Sequence, residues 1–170
     1  MTLVYIKRIM AFIVLVFFKV LVFNHVHLFG YATPFLYIYL LLKLNLGTSR
    51  AELLIWGFLL GLAVDIFSNT PGVSAASTTF YALLQPILVR LFTPRDSDDT
   101  IEPGFKTMGI APFIRFIVIS VLLHHTVLFT IEFFSFVNWT DWLISILSST
   151  LLTVFCVIAI EGIRMKKKAS

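Results

Sequence analysis

The sequence has little cysteine and little charge. Its one cysteine, Cys156, lies within an apolar run, so no intrachain disulfide can form and cysteine usage does not indicate the compartment. Charged residues make up only 13% of the chain, against roughly 25% in soluble domains. The longest polar interval runs only from Thr93 to Gly109, which leaves no room for an appended soluble domain.

Apolar residues, by contrast, are in excess. They account for 59% of the 170 residues, with a mean hydropathy of +0.97, whereas soluble domains contain roughly 45–50% apolar residues. Water is therefore a poor solvent for this chain. Its length suits one integral membrane domain covering residues 1–170.

Six apolar segments predict an all-α, polytopic membrane protein with six transmembrane helices. The predicted spans are 9–27, 34–46, 51–67, 73–92, 112–134 and 142–163, with a cytoplasmic loop at 93–111. Because a span normally needs about 20 apolar residues, the second segment is short, and a re-entrant path is the alternative there.

The basic residues favour one of these two alternatives. If all six segments cross, no Lys or Arg is left in the loops on one side of the membrane, and basic residues are typical of cytoplasmic loops. If the second segment did not cross, the region from Arg90 to Arg115 would be exported. We therefore predict six spans with both termini in the cytoplasm.

Small residues and one carboxylate mark the third and fourth segments. Gly57, Gly61 and Asp65 are four residues apart and share one helix face, and Gly72 and Ala75 follow at a predicted turn. Glycines let two helix backbones approach closely in a membrane. A carboxylate within a span faces the protein interior or a cavity rather than lipid. This face is therefore predicted to bind another helix, within the bundle or on a partner.

The residues from Asn24 to Tyr39 and the series Gly57, Gly61, Asp65, Gly72 and Ala75 resemble the rod-shape-determining family MreD. The resemblance implies a non-enzymatic, multi-pass subunit of the bacterial inner membrane, a scaffold of the cell-wall elongation complex that maintains rod shape. The implied partners are an MreC-like membrane protein, the glycosyltransferase and transpeptidase of wall elongation, and MreB filaments directly or indirectly. The family is also similar in fold to the six-helix substrate-binding components of vitamin transporters.

Three ionisable residues, Lys19, Asp65 and Glu132, fall within predicted spans. The predicted topology puts all three in the outer half of the membrane, where pairing Lys19 with a carboxylate would reduce the cost of burial. We predict a structural contact between Asp65 and Lys19, with proton or ligand handling as the alternative. Glu161 and Arg164 are one helical turn apart and predict a local ion pair.

The sequence carries no pattern for catalysis. Metalloprotease, serine-hydrolase and P-loop motifs are absent, and His25 and His27 have no further ligands nearby to complete a metal site. We therefore expect no enzyme, no cofactor, no metal and no nucleic-acid partner. The alternative to a scaffold is a small-molecule or lipid-binding membrane component of a transporter, in which polar residues would converge on an outward cavity.

The one-sided basic residues predict which loops reach the outside. Single cysteines placed at Asn69 and Asn138 are expected to react with an impermeant thiol reagent in intact cells, whereas cysteines at Ser97 and Ser170 are not. Labelling at Ser97 from outside would contradict the six-span topology.

Overall fold

The computed structural model describes residues 2–23, 33–94, 97–134 and 138–167, and within these ranges the chain is helical with no β-strand. His25, His27 and most of the stretch from Asn24 to Tyr39 lie outside the described residues. The helices are α1 (Thr2–Phe18), continued by a π-helical turn (Lys19–Phe23); a 3-10 turn (Leu36–Ile38) leading into α2 (Tyr39–Leu42); α3 (Arg50–Ser68); α4 (Val73–Phe92); α5 (Phe105–Met108); α6 (Ile110–Phe133); and α7 (Trp139–Lys167).

Four of the described helices are long and apolar enough to cross a membrane. They are Arg50–Ser68, Val73–Phe92, Ile110–Phe133 and the part Trp139–Met165 of α7. Each coincides with one of the last four predicted spans, apart from small shifts at the ends. Large apolar side chains such as Phe58, Leu151 and Phe155 are exposed on these helices, as expected of surfaces that face lipid. The helices indicate a membrane protein.

The second predicted span, 34–46, is as short as its sequence indicates. Only residues 36–42 are helical, and they rise about 12 Å where a bilayer core measures about 30 Å. Tyr37, Ile38, Leu41 and Leu42 are completely or almost completely buried. The segment is apolar on all sides because it lies in the centre of the bundle, where every side meets protein.

We call residues 33–47 the central segment. Side chains of neighbouring helices form hydrogen bonds with its non-helical backbone. The N–H groups of Thr33 and Phe35 donate to the hydroxyls of Ser149 and Thr153 in α7, each at 3.1 Å. At the other end the Gln85 amide of α4 donates to the carbonyl of Leu44 at 3.3 Å. Irregular backbone at membrane depth is tolerated only where protein groups pair it in this way.

Ion pairs identify one end of the bundle, which we call the basic end. There Arg8 of α1 pairs with Glu52 at the start of α3, and Lys43 pairs with Glu161 near the end of α7. At the opposite end, which we call the cavity end, Lys19 shares one cavity with Glu132 at the end of α6. The helices α1, α3 and α6 therefore run toward the cavity end, whereas α4, α7 and the central segment run back.

The predicted cytoplasmic loop 93–111 is partly helical in the residues that the structure describes. It contains α5, and α6 already begins at Ile110. Its backbone pairs with the end of the central segment, since Leu46 N–H donates to Ile101 at 3.1 Å and Gly47 N–H donates to Asp99 at 2.7 Å. The loop thus closes the basic end of the bundle.

The helices α3 and α4 form a closely packed antiparallel hairpin with the two predicted glycines at the contact. A Cβ on Gly57 would lie 2.8 Å from the Cβ of Ala82 and 2.9 Å from the Thr78 carbonyl oxygen. A Cβ on Gly61 would collide with the backbone of Ser74 and Ala75. The glycine face therefore packs inside the bundle, and only a residue without a side chain fits there.

Gly61→Leu is expected to sharply lower the yield of folded protein, because the new side chain has to displace the α4 backbone and overpacking costs about 1–3 kcal/mol or more. Gly162→Leu is the matched control, since a Cβ on the exposed Gly162 meets no atom within 4 Å. The measurement is the monodisperse fraction and the melting temperature of detergent-solubilised protein. Equal behaviour of the two variants would contradict the packing role of Gly61.

Candidate functional site

Asp65 connects the end of α3 to the start of α4. Its side chain is buried, and one oxygen accepts the Ser74 N–H at 2.8 Å and the Thr70 hydroxyl at 2.9 Å. The other oxygen accepts the Ala75 N–H at 2.8 Å. The first N–H groups of a helix have no partner within that helix, so the carboxylate supplies the acceptors that α4 needs. The positive end of the helix dipole favours its charge.

The turn between the helices, Asn69–Gly72, is short because two residues adopt left-handed backbone conformations. Asn69 has φ 55° and ends α3, with its N–H directed to the carbonyl of Asp65. Gly72 has φ 86° and precedes α4, a conformation that costs glycine little because it has no Cβ. Gly72 therefore shapes the turn that brings the Asp65 carboxylate to the end of α4.

The predicted contact between Asp65 and Lys19 is replaced by this turn. Among the described residues, the Asp65 carboxylate accepts hydrogen bonds from Thr70, Ser74 and Ala75. The Lys19 ammonium lies 4.6 Å from the centre of the Phe35 ring. The physical reason is proximity along the chain. A helix N-terminus nine residues ahead of Asp65 offers oriented N–H donors that a flexible lysine on another helix does not match.

Lys19 and Glu132 do meet, at a cavity of about 400 Å³ at the cavity end. This volume lies within the roughly 300–1,000 Å³ of small-molecule sites. Lys19 is 5% exposed, and Glu132, an exposed residue, lines the same cavity. The predicted residues therefore divide into two groups, with Lys19 and Glu132 on the cavity and Gly57 and Gly61 on the hairpin contact.

The remaining cavity wall combines hydroxyl groups with apolar side chains. The hydroxyls belong to Thr33, Ser68, Thr70, Ser74 and Ser145. Aromatic rings come from Phe35, Phe129 and Phe133. Thr70 and Ser74 also bind Asp65, so the carboxylate lies directly behind the cavity wall although it does not line the cavity. A cavity of this composition can hold a molecule with one polar and one apolar part.

Several residues of the site were not singled out from the sequence, although a pattern points to them. Ser145, Ser149 and Thr153 lie four residues apart and form one polar stripe on the apolar helix α7. The stripe faces the central segment and the cavity. Hydroxyl groups at helical spacing within a span indicate interhelical contacts.

Two adjacent histidines of α6 lie buried in the bundle interior. His124 Nε2 is 3.4 Å from the Ser77 hydroxyl and 3.5 Å from that of Tyr37, and His125 Nδ1 is 3.3 Å from the Thr150 hydroxyl. The hydroxyl contact of His125 is thus with α7. The histidines join α6 to α4, α7 and the central segment through polar contacts.

The basic end holds an ion-pair network rather than the predicted local pair of Glu161 and Arg164. Glu161 binds Lys43 at 3.1 Å and the Tyr39 hydroxyl at 2.8 Å, while Arg164 binds Glu102 at 2.8 Å. Burial raises the pKa of Glu102, but hydrogen bonds from Arg164 and the charge of Lys43 outweigh burial and hold that pKa below its ordinary value. The network connects the central segment, the 93–111 loop and α7.

Asp65→Ala is expected to destabilise the protein by about 2–3 kcal/mol, because it leaves buried donors without their charged acceptor. Thr70→Val removes one of the three hydrogen bonds and is expected to cost about 1 kcal/mol. Unfolding in mixed micelles with increasing dodecyl sulfate measures both effects. Lys19→Met combined with Asp65→Asn is expected to be additive within about 0.5 kcal/mol; recovery of stability in this double variant would restore the ion pair that the sequence predicted.

Comparison of the chain with protein-family models, curated proteins and solved structures finds no match.

Proposed function

We propose that this chain is a non-enzymatic scaffold of the bacterial wall-elongation complex and binds an MreC-like membrane protein. The observation that carries the proposal is the role of the Gly57, Gly61, Asp65, Gly72 and Ala75 series. These residues resemble the MreD family, and all five take part in the α3–α4 hairpin through glycine packing, the left-handed turn or the Asp65 hydrogen bonds. A rigid helix pair is what a scaffold offers to a partner helix.

The proposed topology has six crossings of the inner membrane with both termini in the cytoplasm. The alternation of chain direction between the basic end and the cavity end supports it. Lys43 and Arg164 lie at the basic end with Arg8, in keeping with cytoplasmic placement of basic residues. In this topology the central segment is a short, protein-enclosed second crossing, and the cavity end faces outward.

The scaffold would also contact the glycosyltransferase and transpeptidase of wall elongation, and MreB filaments directly or through other subunits. In such a complex, binding partners replace lipid on part of the exposed apolar surface. Two exposed faces can be tested for partner binding. One contains Phe58 and Leu62 on α3, and the other contains Leu151 and Phe155 on α7. Where a face contacts lipid, fluid lipid tails fill the space left by a truncated side chain. Where it contacts a partner helix, the truncation leaves a gap in the contact.

Depletion of the protein in its native rod-shaped host is expected to round the cells, and affinity purification in mild detergent is expected to enrich an MreC-like protein. Two double-alanine variants are compared, one at Phe58 and Leu62 and one at Leu151 and Phe155. The variant on the face that binds the partner is expected to lower this enrichment about tenfold, while the other variant leaves the enrichment unaltered. Melting temperatures close to that of the unaltered protein serve as the control for folding. Normal cell shape on depletion, together with no MreC-like protein in the purified sample, would reject the scaffold.

The cavity favours a second candidate, a small-molecule or lipid-binding membrane component of a transporter. Polar residues converge on a recess of about 400 Å³ at one end of the bundle, which is the arrangement that distinguishes a binding component from a bundle closed by packing. The two candidates are physically compatible, since the hairpin contact at Gly57 and Gly61 and the cavity residues Val64 and Ser68 lie at different positions along α3.

A further inference from the structure

We propose that the cavity binds an amphipathic ligand through one anionic group, a phosphodiester or a carboxylate, held by the Lys19 ammonium. The inference rests on the second candidate function, ligand binding, and is independent of the scaffold. The observation behind it is a lysine that is 95% buried at the wall of a 400 Å³ cavity, with the face of the Phe35 ring 4.6 Å from its Nζ.

A buried ammonium needs more than one aromatic face. Burial of a charge within a membrane protein is costly, and such residues are candidates for a functional site. A ring face offsets part of the cost, but an ammonium has three N–H donors. The Asp65 carboxylate is engaged with the start of α4. An anionic ligand group in the cavity would place acceptor oxygens beside the Lys19 donors, and charge-assisted hydrogen bonds are the strongest available to it.

The apolar lining of the cavity selects the rest of the ligand. Phe129, Phe133 and Leu128 provide an apolar wall that suits a ring or the first carbons of an acyl chain. Thr70 and Ser74 also line the cavity. The Thr70 hydroxyl already donates to Asp65, so it can accept a hydrogen bond from a polar ligand group.

Glu132 restricts the charge that the ligand carries. Its carboxylate belongs to an exposed residue that lines the same cavity as Lys19. A second negative charge on the ligand would meet like-charge repulsion from this carboxylate, whereas a cationic group would be attracted. The site therefore fits a singly charged anion or a zwitterion better than a polyanion. Two sources have this chemistry: the headgroup of a membrane phospholipid and a small organic acid from the aqueous side.

The test uses the full chain purified in an uncharged maltoside detergent and three probes. Dioleoylphosphatidylglycerol carries one phosphodiester, dioleoylglycerol is its uncharged counterpart, and phenylacetate is a soluble aromatic anion. Binding is measured by native mass spectrometry for the lipids and by the shift in melting temperature for all three. The expected result is binding of at least one anionic probe and none of dioleoylglycerol. Preference for phosphatidylglycerol identifies a lipid headgroup, and preference for phenylacetate identifies a soluble ligand.

Four variants separate binding from structure. Lys19→Met is expected to weaken binding of the anionic probe about 10- to 100-fold, and Lys19→Arg is expected to retain most of it. Phe35→Leu removes the ring face and keeps the cation, so it is expected to weaken anion binding less than Lys19→Met does. Glu132→Gln, at an exposed position, is expected to tighten binding of the anion, a change that a purely structural Lys19 would not produce.

Each other outcome decides the question. Equal binding of dioleoylglycerol and phosphatidylglycerol, unchanged in Lys19→Met, overturns the anionic class and leaves a cavity for neutral lipid. No binding of any probe overturns both the class and the binding function, while the scaffold is judged by its own copurification experiment. If Lys19→Met does not fold, Glu132→Gln alone decides, and unchanged or weaker anion binding in that variant overturns the proposal.

Discussion

Pairing of backbone N–H and C=O groups away from water is the constraint on which the rest of this structure depends. An unpaired backbone group in hydrocarbon costs several kcal/mol. Among helical segments, only a continuous helix pairs its own backbone groups by hydrogen bonds within the segment. The central segment breaks helical geometry, and its free groups are taken by Ser149 and Thr153 of α7 and by Gln85 of α4. The apolar helices α4 and α7 thus carry an amide and hydroxyl groups because the backbone of the central segment requires hydrogen-bond partners.

Asp65 also pairs backbone N–H groups, at the α3–α4 turn. By accepting the first N–H groups of α4 it fixes where that helix begins relative to α3, and this register places Gly57 and Gly61 opposite the small residues of α4. The glycine contact alone would allow the helices to slide, whereas the carboxylate selects one position. An expensive charge within the membrane is therefore retained for its effect on register, at a helix end where the dipole stabilises it.

The long helices could be predicted from the sequence because apolar length and helical spacing are local properties. The spans at 51–67 and 73–92 and the shared face of Gly57 and Gly61 follow from such patterns. Partner choice is not local. Glu161 and Arg164 were predicted to pair because they lie one helical turn apart. The fold brings Lys43 and Tyr39 to Glu161 instead. The central segment was predicted as a short span, but its enclosure by protein was not, because a short apolar run looks the same whether lipid or protein surrounds it.

The hairpin and the cavity share a wall, so the two proposed functions are physically connected. Thr70 and Ser74 bind Asp65 on one side and line the cavity on the other. A ligand that contacts these residues in the folded protein stabilises the turn by mass action, in proportion to its affinity for that state alone. Occupancy of the cavity would then strengthen the same α3–α4 geometry that a scaffold presents to its partner. A site for a lipid headgroup at this position would make assembly of the complex sensitive to the membrane around it.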